Sequence, residues 1–277
     1  MMDRGVRFLR RLFQVAGAFF RLGFQSTISY PLTFLTNQLG AFVPAVLFFF
    51  VAKLIDRPLV SHGGDYYTYV IIGLVGLRIL DTGIRGFTQE LDLAINRGWL
   101  EMYLVEPVRW RFLPFGMAQW PIIQGVISAG IIALIGLALG AEVRWQAIPL
   151  ALAILALGLA AGMAIGILSG ALKVLAKTGD PIIFAYSLAA QLLSGVYFST
   201  QVLPEPLRWL SWLLPHTYVI HGLRRVLMAE GPRLGGMEHG TAMLLLVGFC
   251  ALAYPLGLWL YGRALEFGRK LGVLSGY

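Results

Sequence analysis

The chain has 277 residues, of which 58% are hydrophobic and only 13% charged, with a mean hydropathy of +0.74. A soluble domain carries about 25% charged residues, so this composition excludes an ordinary water-soluble globule and indicates a polytopic membrane protein. The net charge of +8 comes from lysines and arginines dispersed around apolar runs rather than gathered in one patch, which suits anionic lipid and not nucleic acid as a partner.

The first 25 residues hold Arg4, Arg7, Arg10, Arg11 and Arg21, with no apolar core and small-residue cleavage site behind them. They are not a secretory signal. Arg4, Arg7, Arg11 and Gln14 fall on one helical face and Leu9, Leu12, Phe13, Ala16 and Phe20 on another. This pattern predicts an amphipathic helix over 1–25, lying on the membrane surface.

Apolar runs then predict six spans, roughly 32–52, 66–86, 113–139, 147–172, 182–198 and 242–262. The fold class expected is therefore an all-α membrane protein in a single domain over 1–277. The lone cysteine, Cys250, sits inside the last run, so no disulfide can form within the chain. An even number of spans puts both termini on one side. That side also receives Arg85, Arg97, Arg109, Arg111, Lys173 and Lys177 from the connections after spans two and four. It holds about twice the basic residues of the other side, where Lys53, Arg57, Arg144, Arg208, Arg224, Arg225 and Arg233 fall. The positive-inside rule makes the termini cytoplasmic and the 199–241 segment external.

Span two contains Arg78 and Asp81 at i,i+3. A charge at mid-membrane costs about 2.5 kcal/mol or more, so these residues are a candidate gate or an intramembrane ion pair. The 87–112 connection follows. In it Leu91, Ile95 and Trp99 share a helical face away from Glu90, Asp92, Asn96 and Arg97, and Gly98 can end the helix. Such an element can dock into a partner's groove or lie on lipid. Asn37, Gln38, Gln119, Gln124 and Gln191 are uncharged polar residues within spans, suited either to lining a path or to bonding between helices. Span four carries Gly158, Gly162, Gly166 and Gly170 at i+4 spacing, a stripe for close helix packing within the chain or for a dimer or pore-lining face.

From Pro181 the sequence runs through an apolar stretch ending at Phe198, just long enough to cross. It then reads Leu-Pro-Glu-Pro-Leu-Arg-Trp-Leu-Ser-Trp-Leu-Leu-Pro over 203–215. About ten residues between prolines, at ~1.5 Å each, cannot cross a ~30 Å hydrocarbon core. Short re-entrant helices are expected here. No G-x-x-x-x-G-K-[ST] motif, no H-E-x-x-H and no other metal spacing occur, His216 and His221 lacking a third ligand. The chain cannot hydrolyse ATP by that route, and a catalytic constellation is missing.

Leu-Ser-Gly-Val-Tyr-Phe at 193–198, Leu-Pro at 203–204, Leu-Leu-Pro-His-Thr-Tyr-Val-Ile at 213–220 and then Arg224 resemble the C-terminal pattern of ABC-2 type permeases, roughly S-G-x-x-[FY], L-P, P-x-[TS]-Y and Arg. Ile95 to Pro107, as I-x-x-G-x-L-x-x-x-L-x-x-P, is similar to the cytoplasmic loop after the second span in a bacterial branch of that family. Ser199-Thr200 departs from it where many members carry Pro. The resemblance implies a permease subunit, not an enzyme, in the bacterial inner membrane. It would dimerise with a second copy or a paralogue and bind separate ATPase subunits that hold the ATP and magnesium; this chain itself would need no cofactor. The N-terminal helix would be a connecting helix. Glu90, Leu91, Asp92, Ile95 and Asn96 would lie on a coupling helix at 88–98. Pro204, Trp209, Pro215 and Tyr218 would belong to an outer re-entrant lid. Drugs, lipids, glycans or peptides are the family's exported substrates. The alternative reading is an ATP-independent secondary transporter or channel; a membrane-embedded lipid enzyme is the least supported.

Overall fold

The computed structural model describes residues 17–54, 66–100, 102, 110–176, 180–228 and 239–270, and all regular structure among them is helical. The expected surface helix over 1–25 therefore falls mostly outside the described residues. Its described end forms α1 (17–29), which is followed by α2 (Pro31–Leu54), α3 (Tyr66–Asn96), α4 (Leu113–Ala138), α5 (Ile148–Ala176), α6 (Asp180–Leu193), α7 (Glu205–Leu213), α8 (Pro215–Leu227) and α9 (His239–Lys270). Prolines mark several starts, since a missing N–H costs nothing in the first turn. They open α2 and α8, and sit within the first two positions of α4 and α7.

Four stretches are long and apolar enough to cross a membrane: Phe34–Leu54, Trp110–Ala138, Trp145–Leu175 and Gly240–Gly268. Two of the six expected spans do not meet both conditions. Helix α3, at 31 residues, is about 46 Å long, but Arg78, Asp81, Arg85, Glu90 and Asp92 dilute its apolarity. Helix α6 is apolar but stops at Leu193, after 14 residues or about 21 Å, five residues short of the expected end at Phe198. The helix expected separately at 88–98 is instead the continuation of α3, which runs unbroken to Asn96.

Helix α3 is the hub. It packs along α4 on one side and α5 on the other, and α8 covers its first half; α9 closes the bundle against α5 and α8. Its first half builds one apolar core, with Val70, Leu80, Ile154, Val219, Ile220 and Leu223 almost fully buried. Its second half builds another, with Phe87, Leu91, Ile167 and Tyr261, the Phe87 and Tyr261 rings meeting edge-on at 5.4 Å.

The glycine stripe of α5 makes the α3–α5 seam. A Cβ on Gly166 would stand 2.6 Å from the Ile84 carbonyl oxygen, one on Gly162 would meet the Leu80 carbonyl oxygen, and those on Gly158 and Gly170 would meet Val219 and Phe87. Gly83 answers from α3, where a Cβ would lie 2.6 Å from the Leu159 carbonyl oxygen. The stripe thus serves packing within the chain. Gly162, Gly166 and Gly170 pack on α3, and Gly158 packs on Val219 of α8.

Helix α6 ends at Ser194–Phe198 because Gly195 takes a left-handed conformation, φ +82, and because its carbonyls find another partner. Arg224 on α8, only 3% exposed, donates from Nη1 to Gly195 O (2.6 Å), from Nη2 to Val196 O (2.8 Å) and from Nε to Tyr69 O (3.1 Å). Its guanidinium carbon lies 3.3 Å from the centroid of the Tyr69 ring. Gly73 leaves the space it fills. A Cβ on Gly195 would come within 2.9 Å of Thr200 Cγ2. Gly195→Ala should therefore cost about 1–3 kcal/mol, strain and contact together, read as a lowered melting temperature in detergent with the oligomeric state unchanged.

The lid residues separate into two unlike helices. Helix α7 is peripheral, with Trp209 68% exposed and Leu207, Leu210, Trp212 and Leu213 also outward. Helix α8 packs into the core: Pro215, His216, Thr217, Ile220 and Leu223 are buried. Pro204 is the exposed N-cap of α7, and Tyr218 donates its hydroxyl proton to Trp212 O at 2.6 Å, tying α8 back to α7.

Candidate functional site

A cavity of about 440 Å³ opens among α2, α3 and α4, lined by Gln38, Arg78, Asp81, Thr82, Arg85, Gly86, Gln89, Pro121, Gln124, Gly125 and Ser128. Its position follows from sequence. Helix α3 carries one polar row, Arg78, Asp81, Thr82, Arg85 and Gln89, at spacings of three and four, which share one face. Helix α4 faces it with Pro121, Gln124, Gly125 and Ser128, again at three and four. Gly125 lets the helices touch, since a Cβ there would run into the Thr82 side chain.

Arg78 is held but not neutralised. Its Nη2 donates to Ser128 Oγ at 3.1 Å, while Ser128 Oγ donates to Gln38 Oε1 at 2.7 Å. This chain joins α3, α4 and α2 through buried groups, Ser128 being fully enclosed and Gln38 8% exposed. Arg78 Nε is buried without a hydrogen-bond partner.

The expected ion pair does not form. Among the described residues no carboxylate lies within 4.0 Å of Arg78. Asp81 is engaged on another side, where Ser187 Oγ donates to Oδ1 at 3.5 Å and His216 Nε2 stands 4.0 Å away. Tyr186 and His216 meet at 3.4 Å between the hydroxyl and Nδ1. The helix turn explains the failure: at i,i+3 the two side chains share a stripe, but each is drawn to a different neighbour, Ser128 on α4 or Ser187 on α6.

Gln38 and Gln124 were legible as polar residues in spans, and each lines the cavity and also makes a bond between helices. They line the cavity, while Gln38 accepts from Ser128 and Gln124 Nε2 donates to Thr27 Oγ1 at 3.1 Å. Gln191 bonds the Tyr197 hydroxyl; the Asn37 side chain lies outside what is described. Ser128, Thr82, Arg85 and Gln89 were missed as site residues. The signal for them was the facing pair of i,i+3/i+4 polar rows on two successive spans.

Beyond the cavity α3 carries the residues expected to contact a partner. Leu91, expected on an outward apolar ridge, is fully buried against α5 and α9. Ile95 is half-buried on the same core. Asp92 is bound to Lys173 of α5 at 2.9 Å, which ties the C-terminal ends of α3 and α5. Glu90 is partly buried, and that burial holds its carboxyl above the usual carboxylate range, with Arg97 opposing. Exposed at this end are Gln89, Leu93, Asn96, Arg97 and Trp99. Leu91 and Ile95 point inward because that helical face is buried in the core shared with α5 and α9, whereas Trp99, beyond the end of the helix, is exposed. Glu101 and residues 103–109 lie outside the described residues. Among those described, no group of three His, Cys, Asp or Glu is placed to hold a metal ion.

Long apolar helices around a polar cavity make this a multi-pass membrane protein. Residues 13–228 match the family model described as ABC-2 type transporter, and the chain belongs to that family. It is a membrane subunit of an ABC transporter, a permease and not itself the ATPase. No curated protein matches its sequence.

Proposed function

We propose that the chain is the permease subunit of a bacterial ATP-driven exporter, paired with a second copy or paralogue and driven by two separate ATPase subunits at the cytoplasmic face. In this reading α3, and α6 together with its unwound continuation, also cross the bilayer, giving six spans with both termini inside. The substrate class is hydrophobic or amphipathic: a drug, lipid or glycan. The outward apolar faces of α6 and α7 are the seat of the second permease.

The observation that carries the reading is the unbroken α3. One helix runs from the cavity residue Arg78 to the exposed tip at Asn96, about 27 Å along its axis. A push at the tip moves the cavity wall with no hinge between them. Lys173–Asp92 extends the same push to α5. Glu90, Asp92, Ile95 and Asn96 support this contact as flank and tip, Leu91 by stiffening the rod from within, and Leu93 and Trp99 as the apolar surface a partner groove can take.

The test is co-expression with an ABC ATPase subunit that co-purifies with the wild-type chain. Leu93→Asp and Trp99→Ala together should leave yield and melting temperature unchanged, because both side chains are exposed, yet reduce co-purified ATPase and transport at least tenfold. Retention of full transport and full ATPase recovery in the double variant would sink the coupling assignment.

A further inference from the structure

The cavity between α2, α3 and α4 holds more positive charge than its surroundings neutralise. Arg78 and Arg85 lie two turns apart on one face of α3 and both line it. Arg78 spends one nitrogen on the neutral Ser128 hydroxyl and leaves Nε buried and unpartnered. The Arg85 guanidinium makes no hydrogen bond to a described residue. The one carboxylate in the lining, Asp81, holds Ser187 and faces His216. A guanidinium at membrane depth without an anion is costly, and its forked donors match the oxygens of a phosphate. Gln38 and Gln124 add polar groups to the wall on the far side. The seam is also reachable from the side. Helix α2 packs chiefly on α4 and more sparsely on α3, and Leu35, Leu39 and Phe42 face outward beside the inward Gln38.

From these observations we infer that the cavity binds a phosphodiester, between Arg78 and Arg85, supplied either by a lipid headgroup or by a soluble phosphodiester. Two guanidiniums and one carboxylate suit a single negative charge, and Asp81 disfavours ligands carrying several. The volume, about 440 Å³, holds a headgroup while the acyl chains run out along the α2–α3 seam. This site is independent of how transport is powered, so the coupling experiment above can fail without touching it.

The full chain, purified in a maltoside detergent, is assayed by native mass spectrometry with added phosphatidylglycerol or monogalactosyl diacylglycerol. The second lipid has similar chains and no phosphate. Phosphatidylglycerol should be retained at least tenfold more tightly. Arg85→Gln should reduce that retention at least tenfold; the Arg85 side chain has no described hydrogen bond to lose, so this variant should keep the wild-type elution profile and melting temperature. Arg78→Gln should do the same, and Arg263→Gln, on the exposed face of α9, should change nothing. Glycerophosphoglycerol, the same headgroup without chains, separates the sources: displacement of the lipid at similar concentration assigns a soluble phosphodiester, and failure to displace it assigns the lipid. Equal retention of the two lipids, or unchanged retention in Arg85→Gln, overturns the inference.

Discussion

Arg224→Leu should cost most of the protein's folding stability. The substitution removes three charge-assisted hydrogen bonds, each worth about 1.5–3 kcal/mol, strands the Val196 carbonyl and leaves Gly195 O only the 3.4 Å contact from the Tyr69 hydroxyl. It also relieves the cost of burying a cation, so the net loss is smaller than the sum of those hydrogen bonds, about 3–5 kcal/mol. Against a total stability of about 5–15 kcal/mol that is a large fraction. In a chain of this size it lowers the melting temperature by roughly 6–20 °C. Two further variants grade the effect. Arg224→Lys keeps the charge, but one ammonium cannot serve three carbonyls on two elements, so it should fall between. Tyr69→Leu leaves the Tyr69 carbonyl in place and removes only the ring beneath the guanidinium and a 3.4 Å hydroxyl contact to Gly195 O, a loss of about 1–2 kcal/mol. Thermal unfolding in detergent reads all three. If Arg224→Leu proves no worse than Tyr69→Leu, Arg224 does not hold the unwound segment.

Arg224 also shows where sequence reading stops. Apolar runs locate the helices because a backbone in lipid must bond to itself, and the length argument recognised the short prolyl helices. Neither could see that the run ending at Phe198 would leave the helix at Leu193, because the reason lies 29 residues away on α8. Composition alone cannot distinguish a side chain that caps a break from one that snorkels to a headgroup. The same limit applied to α3. Its charges read as a span followed by a loop, since hydropathy falls after residue 86; in the structure the fall marks a helix whose polar row faces a cavity and whose apolar row, through Leu91, faces α5 and α9. Burial by protein, not by lipid, lets a charged helix run through the middle of the bundle.

The cavity was half legible for a related reason. Arg78, Asp81, Gln38 and Gln124 stood out because each is expensive in hydrocarbon. Their grouping depended on register between helices that no single run encodes. Asp81 turned from the neighbour on its own helix to Ser187 and His216, so local spacing named the residues and mispaired them.

Closing the α3–α5 seam to a side chain gives the second large effect. Gly83→Val with Gly166→Val puts branched carbon where backbone now meets backbone. A Cβ at either site sits 2.6 Å from a carbonyl oxygen of the facing helix, and no rotamer change can yield because the obstacle is main chain. The helices must separate, which loosens contacts along both apolar cores at once. Each replacement costs about 1–3 kcal/mol as overpacking. The two should add to more than either alone, although neighbouring sites need not be additive. The expected result is little or no folded protein after detergent extraction, and a broadened elution profile in what remains. Gly130→Ala on α4 is the matched control. Nothing lies within 4 Å of its would-be Cβ, so Ala should be neutral or stabilise the helix by up to about 1 kcal/mol. Normal folding of the double variant would mean that the stripe does not set the distance between α3 and α5. Damage confined to transport, with an unchanged melting temperature, would return the stripe to the moving parts of the permease.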